Sequence, residues 1–287
     1  MANGTKQITT SDIRKKKEAG IPITMMTAYD FPSAKLVEEA GVDMILVGDS
    51  LGMVVLGYDS TIPVTMEDMV HHTKAVTRAA KRTFVVADLP FLSYHGTVEE
   101  GVKNAGRLMQ EGLAKAVKME GGQELAPLVT RCVQAGIPVV GHIGLTPQSV
   151  HQLGGYKVQG RDLEQAQRLL EDALALQAAG IFAIVLECVP EEVTGMIAKK
   201  LDIPVIGIGA GVTCDGQVLV FHDVVGYASS ITPKFVKRYA DIGETIREAV
   251  AGYAQDVEKR SFPAPEHVFR ASEKTIKQLY GEGVATK

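Results

Sequence analysis

The segment RTFVVADLP, residues 82–90, shows the pattern that decides the fold of this chain. It is a short, uninterrupted apolar run followed by an acidic residue, which predicts a strand buried on both faces, as in a parallel sheet covered by helices. Seven further short apolar runs are ended by a Gly or an acidic residue: IPITMMTAYD (21–30), VDMILVGDS (42–50), KAVKMEGG (115–122), PVVGHIG (138–144), FAIVLECV (182–189), IPVIGIGAG (203–211) and the weaker QVLVFHDVVG (217–226).

The stretches between these runs predict helices with readable ends. A strand–helix–strand repeat of this kind predicts an α/β fold, a (β/α)8 TIM barrel closed by right-handed crossovers. Too few residues separate Gly211 from Gln217 for a helix, so the seventh crossover should lack one. The GIGAG motif at 207–211 is compatible with a phosphate-binding loop or with the tight turn that a missing helix requires. The predicted helices cover residues 33–40, 65–81, 97–111, 123–135 and 161–179.

Residues 1–287 are interpreted as one barrel domain, because such barrels commonly occupy about 250 residues. Residues 234–287 are predicted to form a C-terminal helical extension, with two helices separated by SFPAPEH at 261–267. The lysine run at 15–17 is interpreted as the solvated face of a first helix.

Composition excludes several classes of partner. The chain has 30 Lys plus Arg against 34 Asp plus Glu, a net charge of −4, and no basic segment that predicts nucleic-acid binding. No apolar stretch approaches the roughly 20 residues that span a bilayer, and the N-terminus lacks the apolar segment of a secretion signal. The cysteines Cys132, Cys188 and Cys214 show no CxxC spacing and are expected to be reduced, inert thiols. We therefore expect a soluble, cytoplasmic protein.

Polar residues collect where the predicted strands end. In a (β/α)8 barrel these ends meet at one face, which carries the chemistry. Asp30 precedes Pro32 and is interpreted as a helix cap. Asp49 and Asp88 are followed by loops, so a functional role is favoured for both. The candidate site residues are Asp49, Ser50, Asp88, Lys118, Glu120, His142 and Glu187.

Several carboxylates facing one pocket would repel each other unless a cation neutralised them. Oxygen ligands without a His/Cys cluster favour magnesium over zinc, although manganese and cobalt accept the same ligands. Magnesium keeps several waters, which a 2-oxo acid can replace with its carboxylate and keto oxygens. The metal would then act as a Lewis acid that stabilises an enolate.

The other candidate site residues can each take part in forming such an enolate. Glu187 ends an apolar strand, where partial desolvation favours uptake of a proton, so it is the candidate base. Lys118 would offset the charge of the substrate carboxylate, and Ser50 could donate a hydrogen bond to it. His142 is predicted to face the substrate, with a buried structural histidine as the alternative.

Long strings in this chain resemble those of the ketopantoate hydroxymethyltransferase family. The similarity runs from about residue 10 to residue 259 and adds nothing for the last thirty residues. The strings are GDSLGMVVLGYDSTIPVTMEDMVHHTKAV (48–76), VVADLPFLSY (85–94), AVKMEGG (116–122), GHIGLTPQSVHQLGGYKVQG (141–160), LECVP (186–190) and IPVIGIGAGVTCDGQVLVFHD (203–223).

The resemblance implies a barrel of the phosphoenolpyruvate mutase and isocitrate lyase superfamily. It also implies transfer of a one-carbon unit from 5,10-methylenetetrahydrofolate to 3-methyl-2-oxobutanoate, with Mg²⁺ as cofactor and a homodecamer, a pentamer of dimers, as the assembly. By the same resemblance, Asp49 and Asp88 ligate the metal and Glu120 holds it through water. Asp49, Ser50, Asp88, Lys118 and His142 contact the oxo acid, and Glu187 accepts the proton.

Two other readings compete with this one. A magnesium-dependent carbon–carbon lyase or phosphonomutase of the same superfamily would commonly carry a cysteine in a catalytic loop, and none of the three cysteines is predicted in such a loop between strands four and five. A non-catalytic oxo-acid-binding protein would not need the metal carboxylates or Glu187, which are present.

Overall fold

A computed structural model describes residues 6–227 and 233–281 of the chain. Eight parallel strands close into a barrel in the order of the sequence, with β8 pairing to β1. The predicted TIM barrel is therefore confirmed, and each of the eight predicted runs holds a strand. The strands are β1 Ile23–Thr27, β2 Met44–Val47, β3 Phe84–Asp88, β4 Ala116–Glu120, β5 Val139–Gly144, β6 Ala183–Glu187, β7 Val205–Ile208 and β8 Gly216–Leu219.

Helices occupy most of the connections, and all five helices predicted between the strands are present. The helices are α1 Thr10–Glu18, α2 Phe31–Glu39, α3 Leu51–Val54, α4 Met66–Ala79, α5 Val98–Gln110, α6 Ala126–Gln134, α7 Val150–Leu153, α8 Leu163–Ala179, α9 Glu191–Lys200, α10 Phe221–Val225, α11 Ile242–Glu258 and α12 Glu273–Tyr280. Asp30 caps α2 by accepting a hydrogen bond from the Ser33 amide at 2.8 Å, as predicted.

The seventh crossover, residues 209–215, contains no helix, as the sequence predicts. Gly209 and Gly211 both have positive φ, which permits the sharp turn that returns the chain to β8. The amide that follows, of Val212, donates to the Glu191 carboxylate at 3.1 Å. Because a carboxylate already occupies this amide, the tight-turn interpretation of GIGAG is favoured over a phosphate-binding loop.

Two buried layers hold the barrel together. Apolar residues on the outer faces of the strands pack against the helices, and a second cluster fills the barrel interior. The interior cluster includes Ile13 of α1 together with Ile23, Met44 and Phe84 from the strands. Thus α1 contributes to the packing inside the barrel at one of its ends.

Two lysines of α1 fix this helix to the strand beginnings. Lys16 Nζ lies 2.6 Å from the Asp43 carboxylate and Lys17 Nζ lies 2.8 Å from Asp215. Asp43 and Asp215 immediately precede β2 and β8, so α1 closes the amino-terminal end of the barrel. The interpretation of the lysine run as a solvated face is therefore wrong for Lys16 and Lys17, since the ion pairs bury most of both side chains.

The chain divides into two compact units, residues 1–240 and 241–287. The second unit contains both helices predicted for the tail, α11 and α12, and is described as far as Gly281. The last six residues of the predicted extension lie outside the described part. That the whole chain forms one domain stays a prediction.

All three cysteines are free. Burial raises the pKa of each thiol to about 11, which keeps the sulfur protonated and weakly reactive at neutral pH. The expectation of unpaired, inert thiols agrees with this. Separately, no helix within residues 6–227 and 233–281 has the length and apolar character needed to cross a bilayer.

The packing of α1 into the barrel predicts a large loss of stability for Ile13→Ala. Ile13 is fully buried, and truncation of such a side chain costs about 2–5 kcal/mol through lost burial and the cavity it leaves. The free energy of unfolding measured in urea would show this loss. Ile21→Ala is the matched control, because Ile21 is 50% exposed and should change stability by less than about 0.5 kcal/mol. Equal effects of both variants would contradict this account of α1.

Candidate active site

The carboxyl ends of the strands bring the predicted residues together at one end of the barrel. Lys118 and Glu120 are two residues apart on β4, so they share a face of that strand. Strand pairing places Asp88 of β3 beside Lys118, and His142 of β5 beside Glu120. These four side chains and Asp49 are buried, whereas the Glu187 side chain retains 16% of its exposure.

The buried groups form a continuous chain of polar contacts. Lys118 Nζ lies 3.2 Å from Asp88 Oδ2, 3.7 Å from Glu120 Oε1 and 3.0 Å from His142 Nδ1. On its other side, His142 Nε2 lies 3.4 Å from Glu187 Oε2. The lysine therefore links two carboxylates to a histidine, and the histidine reaches the candidate base.

The carboxylates of the site carry more negative charge than the neighbouring cations neutralise. Burial raises the pKa of Asp49 well above its usual range, and the nearby carboxylates of Glu120 and Asp88 raise it further. Burial also raises the pKa of Asp88, although Lys118 partly offsets this effect. The four carboxylates of Asp49, Asp88, Glu120 and Glu187 face two cations, Lys118 and protonated His142, which leaves two negative charges uncompensated when all four are ionised.

Lys118 and Glu120 are held in their charged forms. Burial alone would lower the pKa of Lys118, but Asp88, Glu120 and Asp49 outweigh it and raise that pKa. Burial alone would raise the pKa of Glu120, but His142 and Lys118 lower it on balance. An ion pair of this kind inside a barrel needs every remaining lone pair to find a partner.

The protonation of His142 follows from its neighbours. Burial and Lys118 favour the neutral ring, whereas Glu120 and Glu187 favour the protonated ring and raise the pKa of His142 to about 9. Because the two carboxylates outweigh burial and Lys118, the ring holds its proton below a pKa of about 9, and its Nε2 faces Glu187 Oε2 at 3.4 Å.

Two buried residues that sequence reasoning missed hold the carboxylates in place. The Gln148 side-chain amide donates to Asp49 Oδ2 at 2.8 Å, and its backbone amide donates to Glu120 Oε2 at 3.0 Å. Tyr94 donates its hydroxyl to Gln148 Oε1 at 2.7 Å and accepts the Glu120 amide at 3.1 Å. Both residues lie in strings that carry the family resemblance, which is the signal that could have found them.

A third missed residue orients Ser50. The hydroxyl of Tyr29 lies 2.8 Å from Ser50 Oγ, and Tyr29 itself is fully buried. Ser50 precedes the short helix α3 and makes no capping hydrogen bond to it. Its hydroxyl is therefore positioned by the barrel core.

The donor set fits a divalent cation of the magnesium type. Asp88 Oδ1 is buried and has no hydrogen-bond partner, and Asp49 Oδ1 and Oδ2 lie in the same group of carboxylates. Within the described residues, no group of three or more His, Cys, Asp and Glu side chains is arranged to hold a metal by itself. Mg²⁺ usually takes one or two carboxylates and completes its shell with water and substrate, so Asp49 and Asp88 would be enough to hold it.

Known proteins resemble this chain over nearly its whole length. A family model described as ketopantoate hydroxymethyltransferase matches residues 7–265. The 3-methyl-2-oxobutanoate hydroxymethyltransferase of Geobacillus kaustophilus (strain HTA426) is 60% identical over 271 residues, which cover 94% of this chain and 97% of the relative. The enzyme of that name from Carboxydothermus hydrogenoformans (strain ATCC BAA-161 / DSM 6008 / Z-2901) is 58% identical, with coverage of 96% and 99%.

Solved structures show the same fold at low sequence identity. A putative phosphonomutase from Burkholderia cenocepacia J2315 has a TM-score of 0.59 at 15% identity, covering 87% of this chain and 97% of that one. A 2,3-dimethylmalate lyase, described as a PEP mutase/isocitrate lyase superfamily member, has a TM-score of 0.54 at 16% identity, with coverage of 95% and 94%. These likenesses show the fold alone, a closed barrel like the one described here.

The Gln148 contacts predict that this amide controls the affinity of the site for Mg²⁺. Gln148→Leu removes the donor that orients Asp49, and loss of such supporting hydrogen bonds typically weakens metal binding by about 10–100-fold. Titration calorimetry with Mg²⁺ would measure the change. Gln134→Leu, on the exposed end of α6, serves as the control and should bind Mg²⁺ like the native protein. A Gln148→Leu protein with native structure and native Mg²⁺ affinity would contradict this role.

Proposed function

The chain belongs to the ketopantoate hydroxymethyltransferase family, and from that premise we propose that its strand-end cluster transfers a one-carbon unit from 5,10-methylenetetrahydrofolate to 3-methyl-2-oxobutanoate. The activity itself, hydroxymethyl transfer to 3-methyl-2-oxobutanoate, is that of its relatives at 58–60% identity and belongs to pantothenate biosynthesis. The folate donor, the metal and an enolate intermediate are the proposed parts. The product would be 2-dehydropantoate.

The observation that carries the proposal is the position of Glu187. It is the partly exposed carboxylate of the candidate set, and it stands next to His142 at the edge of the buried charge cluster. A base in that position can reach a carbon of a substrate whose carboxylate and keto group face the cluster. Acidity of that carbon depends on stabilising the negative charge that its deprotonation creates.

We propose that Glu187 accepts the proton from the branched third carbon of the oxo acid. The electrons of the broken C–H bond pass to the keto oxygen, which gives the enolate. The enolate carbon then forms a bond with the electrophilic methylene that opening of the folate imidazolidine ring exposes. Ring opening gives N10 a proton, which balances the proton that the oxo acid loses, and leaves the methylene on N5. Once the carbon–carbon bond has formed, water cleaves the bond between the methylene carbon and N5: its hydroxide stays on the carbon and its proton goes to N5, which releases tetrahydrofolate.

The other residues bind and orient the oxo acid in this proposal. Lys118 offsets the charge of its carboxylate, and Ser50, oriented by Tyr29, donates a hydrogen bond to it. The protonated ring of His142, with Nε2 3.4 Å from Glu187 Oε2, attracts this carboxylate and so favours one orientation of the base toward the substrate.

Asp49 and Asp88 would hold Mg²⁺ directly, and Glu120 would hold it through water. When bound, the ion supplies Lewis-acid stabilisation of the charge that develops on the keto oxygen. The two uncompensated charges of the carboxylate group support a divalent ion over a monovalent one.

The lyase or phosphonomutase alternative has less support. The fold is shared with such enzymes, but the close relatives in sequence are hydroxymethyltransferases. In the connection between β4 and β5 the cysteine, Cys132, lies within α6 and is fully buried, so it is not part of a loop over the site.

A homo-oligomer, the homodecamer of the family resemblance, is part of the proposal. Helix α11 supports it, because five apolar residues spaced three or four apart form an exposed stripe along the helix. A stripe of this size is typical of a surface that another chain covers. The residues are Ile242, Ile246, Val250, Tyr253 and Val257.

The role of Glu187 predicts that Glu187→Gln stops exchange of the third-carbon proton of 3-methyl-2-oxobutanoate with deuterated buffer. Loss of a general base typically slows proton transfer by about 10²–10⁴-fold. NMR of the oxo acid with enzyme and Mg²⁺ measures the rate. Glu192→Gln, an exposed position on α9, should exchange at the native rate. Native exchange by Glu187→Gln would show that another group is the base.

The charge of the site predicts that removal of Mg²⁺ also stops this exchange. Without a cation, the two uncompensated negative charges oppose both the oxo acid carboxylate and the developing enolate. The same NMR assay, run after chelation and again after Mg²⁺ is restored, measures the dependence. Exchange at the native rate in the chelated enzyme would refute the metal part of the proposal. If no exchange occurs under either condition, repeating the assay with tetrahydrofolate tests whether deprotonation needs the donor.

A further inference from the structure

A cleft of about 550 Å³ lies beside the candidate active site and has no part in the chemistry described above. Its size is within the ~300–1,000 Å³ typical of small-molecule sites. The walls come from two loops, one following α3 and the other following α7. The principal lining residues are Gly57, Tyr58, Asp59, Ser60, His151 and Tyr156.

Chain connectivity ties this cleft to the buried charge cluster. Helix α3 begins at Leu51, directly after Asp49 and Ser50, and leads into the first wall of the cleft. The second wall follows β5, the strand that carries His142. The two walls meet where the Tyr156 hydroxyl donates to Met53 Sδ at 3.7 Å.

The electrostatics of Tyr156 agree with this placement. Burial raises the pKa of its hydroxyl, and the carboxylates of Glu187, Asp49 and Glu120 raise it further. The Tyr156 hydroxyl is therefore within electrostatic range of the candidate base and of two carboxylates of the cluster.

The surfaces of the cleft match a flat heterocycle with hydrogen-bond donors on one edge. Tyr58 is 39% exposed and Tyr156 is 52% exposed, so both rings offer apolar surface for stacking. Asp59 is exposed and makes no hydrogen bond or ion pair with any residue in the described ranges. A carboxylate of this kind can accept two parallel hydrogen bonds from adjacent N–H groups.

We infer that this cleft binds the pteridine ring of the folate donor, with Tyr58 and Tyr156 in contact with the ring and Asp59 accepting from its N3–H and 2-amino group. The inference rests on the proposed function, since it places the cosubstrate of that reaction. The methylene carbon must reach the carbon that Glu187 deprotonates, which requires a donor site at the mouth of the barrel. This cleft meets that requirement.

A second cleft, of about 740 Å³, offers a comparison. It is lined by one face of α9, including Glu192, Lys199 and Lys200, together with Thr213 of the seventh crossover. Its lining contains no aromatic residue, so it lacks the stacking surface that a folate donor needs.

The test separates donor binding from chemistry on the oxo acid. Calorimetry with tetrahydrofolate measures donor affinity, and NMR measures exchange of the oxo acid proton in the absence of folate. Tyr58→Ala, Tyr156→Ala and Asp59→Asn should each weaken tetrahydrofolate binding by roughly 10–100-fold, the size of a lost stacking or charged contact. Their exchange rates and their KM values for the oxo acid should remain native.

Two controls sharpen the test. Tyr156→Phe keeps the ring and loses only the hydroxyl, so it should retain near-native tetrahydrofolate affinity. Tyr280→Ala removes a tyrosine that is 69% exposed on α12, and should change neither measurement. With 6-methyltetrahydropterin, which lacks the benzoylglutamate tail, Asp59→Asn should show the same loss as with tetrahydrofolate.

Each outcome has a distinct meaning. Native tetrahydrofolate affinity in the Tyr58→Ala, Tyr156→Ala and Asp59→Asn proteins would overturn the cleft assignment and leave the proposed function intact. Equal losses of oxo acid exchange and folate binding would also overturn it, because the residues would then support the whole site. If the native protein exchanges the oxo acid proton but binds no tetrahydrofolate, the folate donor and this cleft assignment both fail.

Discussion

The structure depends on one buried lysine shared by three buried carboxylates. Lys118 lies between Asp88 and Glu120 at 3.2 and 3.7 Å, and Asp49 adds a third negative charge to the group. Burying charged groups costs several kcal/mol each unless attraction and hydrogen bonds compensate. The protein supplies some compensation through Gln148 and Tyr94 but leaves Asp88 Oδ1 without a partner. A bound cation would stabilise an arrangement of this kind, which is the physical reason for the proposed Mg²⁺.

The barrel makes this concentration of charge possible. Strands β3 to β6 each contribute one or two residues at or near their carboxyl ends. The closed sheet holds these side chains close together at fixed separations. The opposite end is closed by α1, whose Ile13 packs among strand residues and whose lysines pair with Asp43 and Asp215. Stability is thus concentrated at one end of the barrel and unbalanced charge at the other. The contacts at the amino-terminal end help to keep the sheet folded although the carboxyl-terminal end holds unbalanced charge.

The sequence predicts the strands well because most of them lie in short apolar runs that end in a glycine or an acidic residue. It also predicts which side chains converge, since the ends of parallel strands must meet. It predicts less about Gln148 and Tyr94, because both reach the site from loops whose paths no periodicity defines. The failure at Lys16 and Lys17 has another cause. A run of lysines in the sequence suggests a solvated helix face. The carboxylates that pair with Lys16 and Lys17 lie 27 and 198 residues away along the chain, so the run itself does not reveal them.

The residues proposed to bind the oxo acid and those proposed to bind the folate donor lie on different kinds of structural element. The residues proposed to bind the oxo acid stand on strands or next to them and are mostly held by hydrogen bonds, which suits a small substrate that must be held in one orientation. Tyr58, Asp59 and Tyr156 stand on loops and keep exposed surface, which suits a larger cosubstrate that must enter and leave in every cycle. Because Met53 connects α3 to Tyr156, movement of the loop following α7 can reach the segment next to Ser50 without disturbing the strands. In the proposed reaction the rigid barrel therefore fixes where the proton is removed, while the loops control when the one-carbon donor arrives.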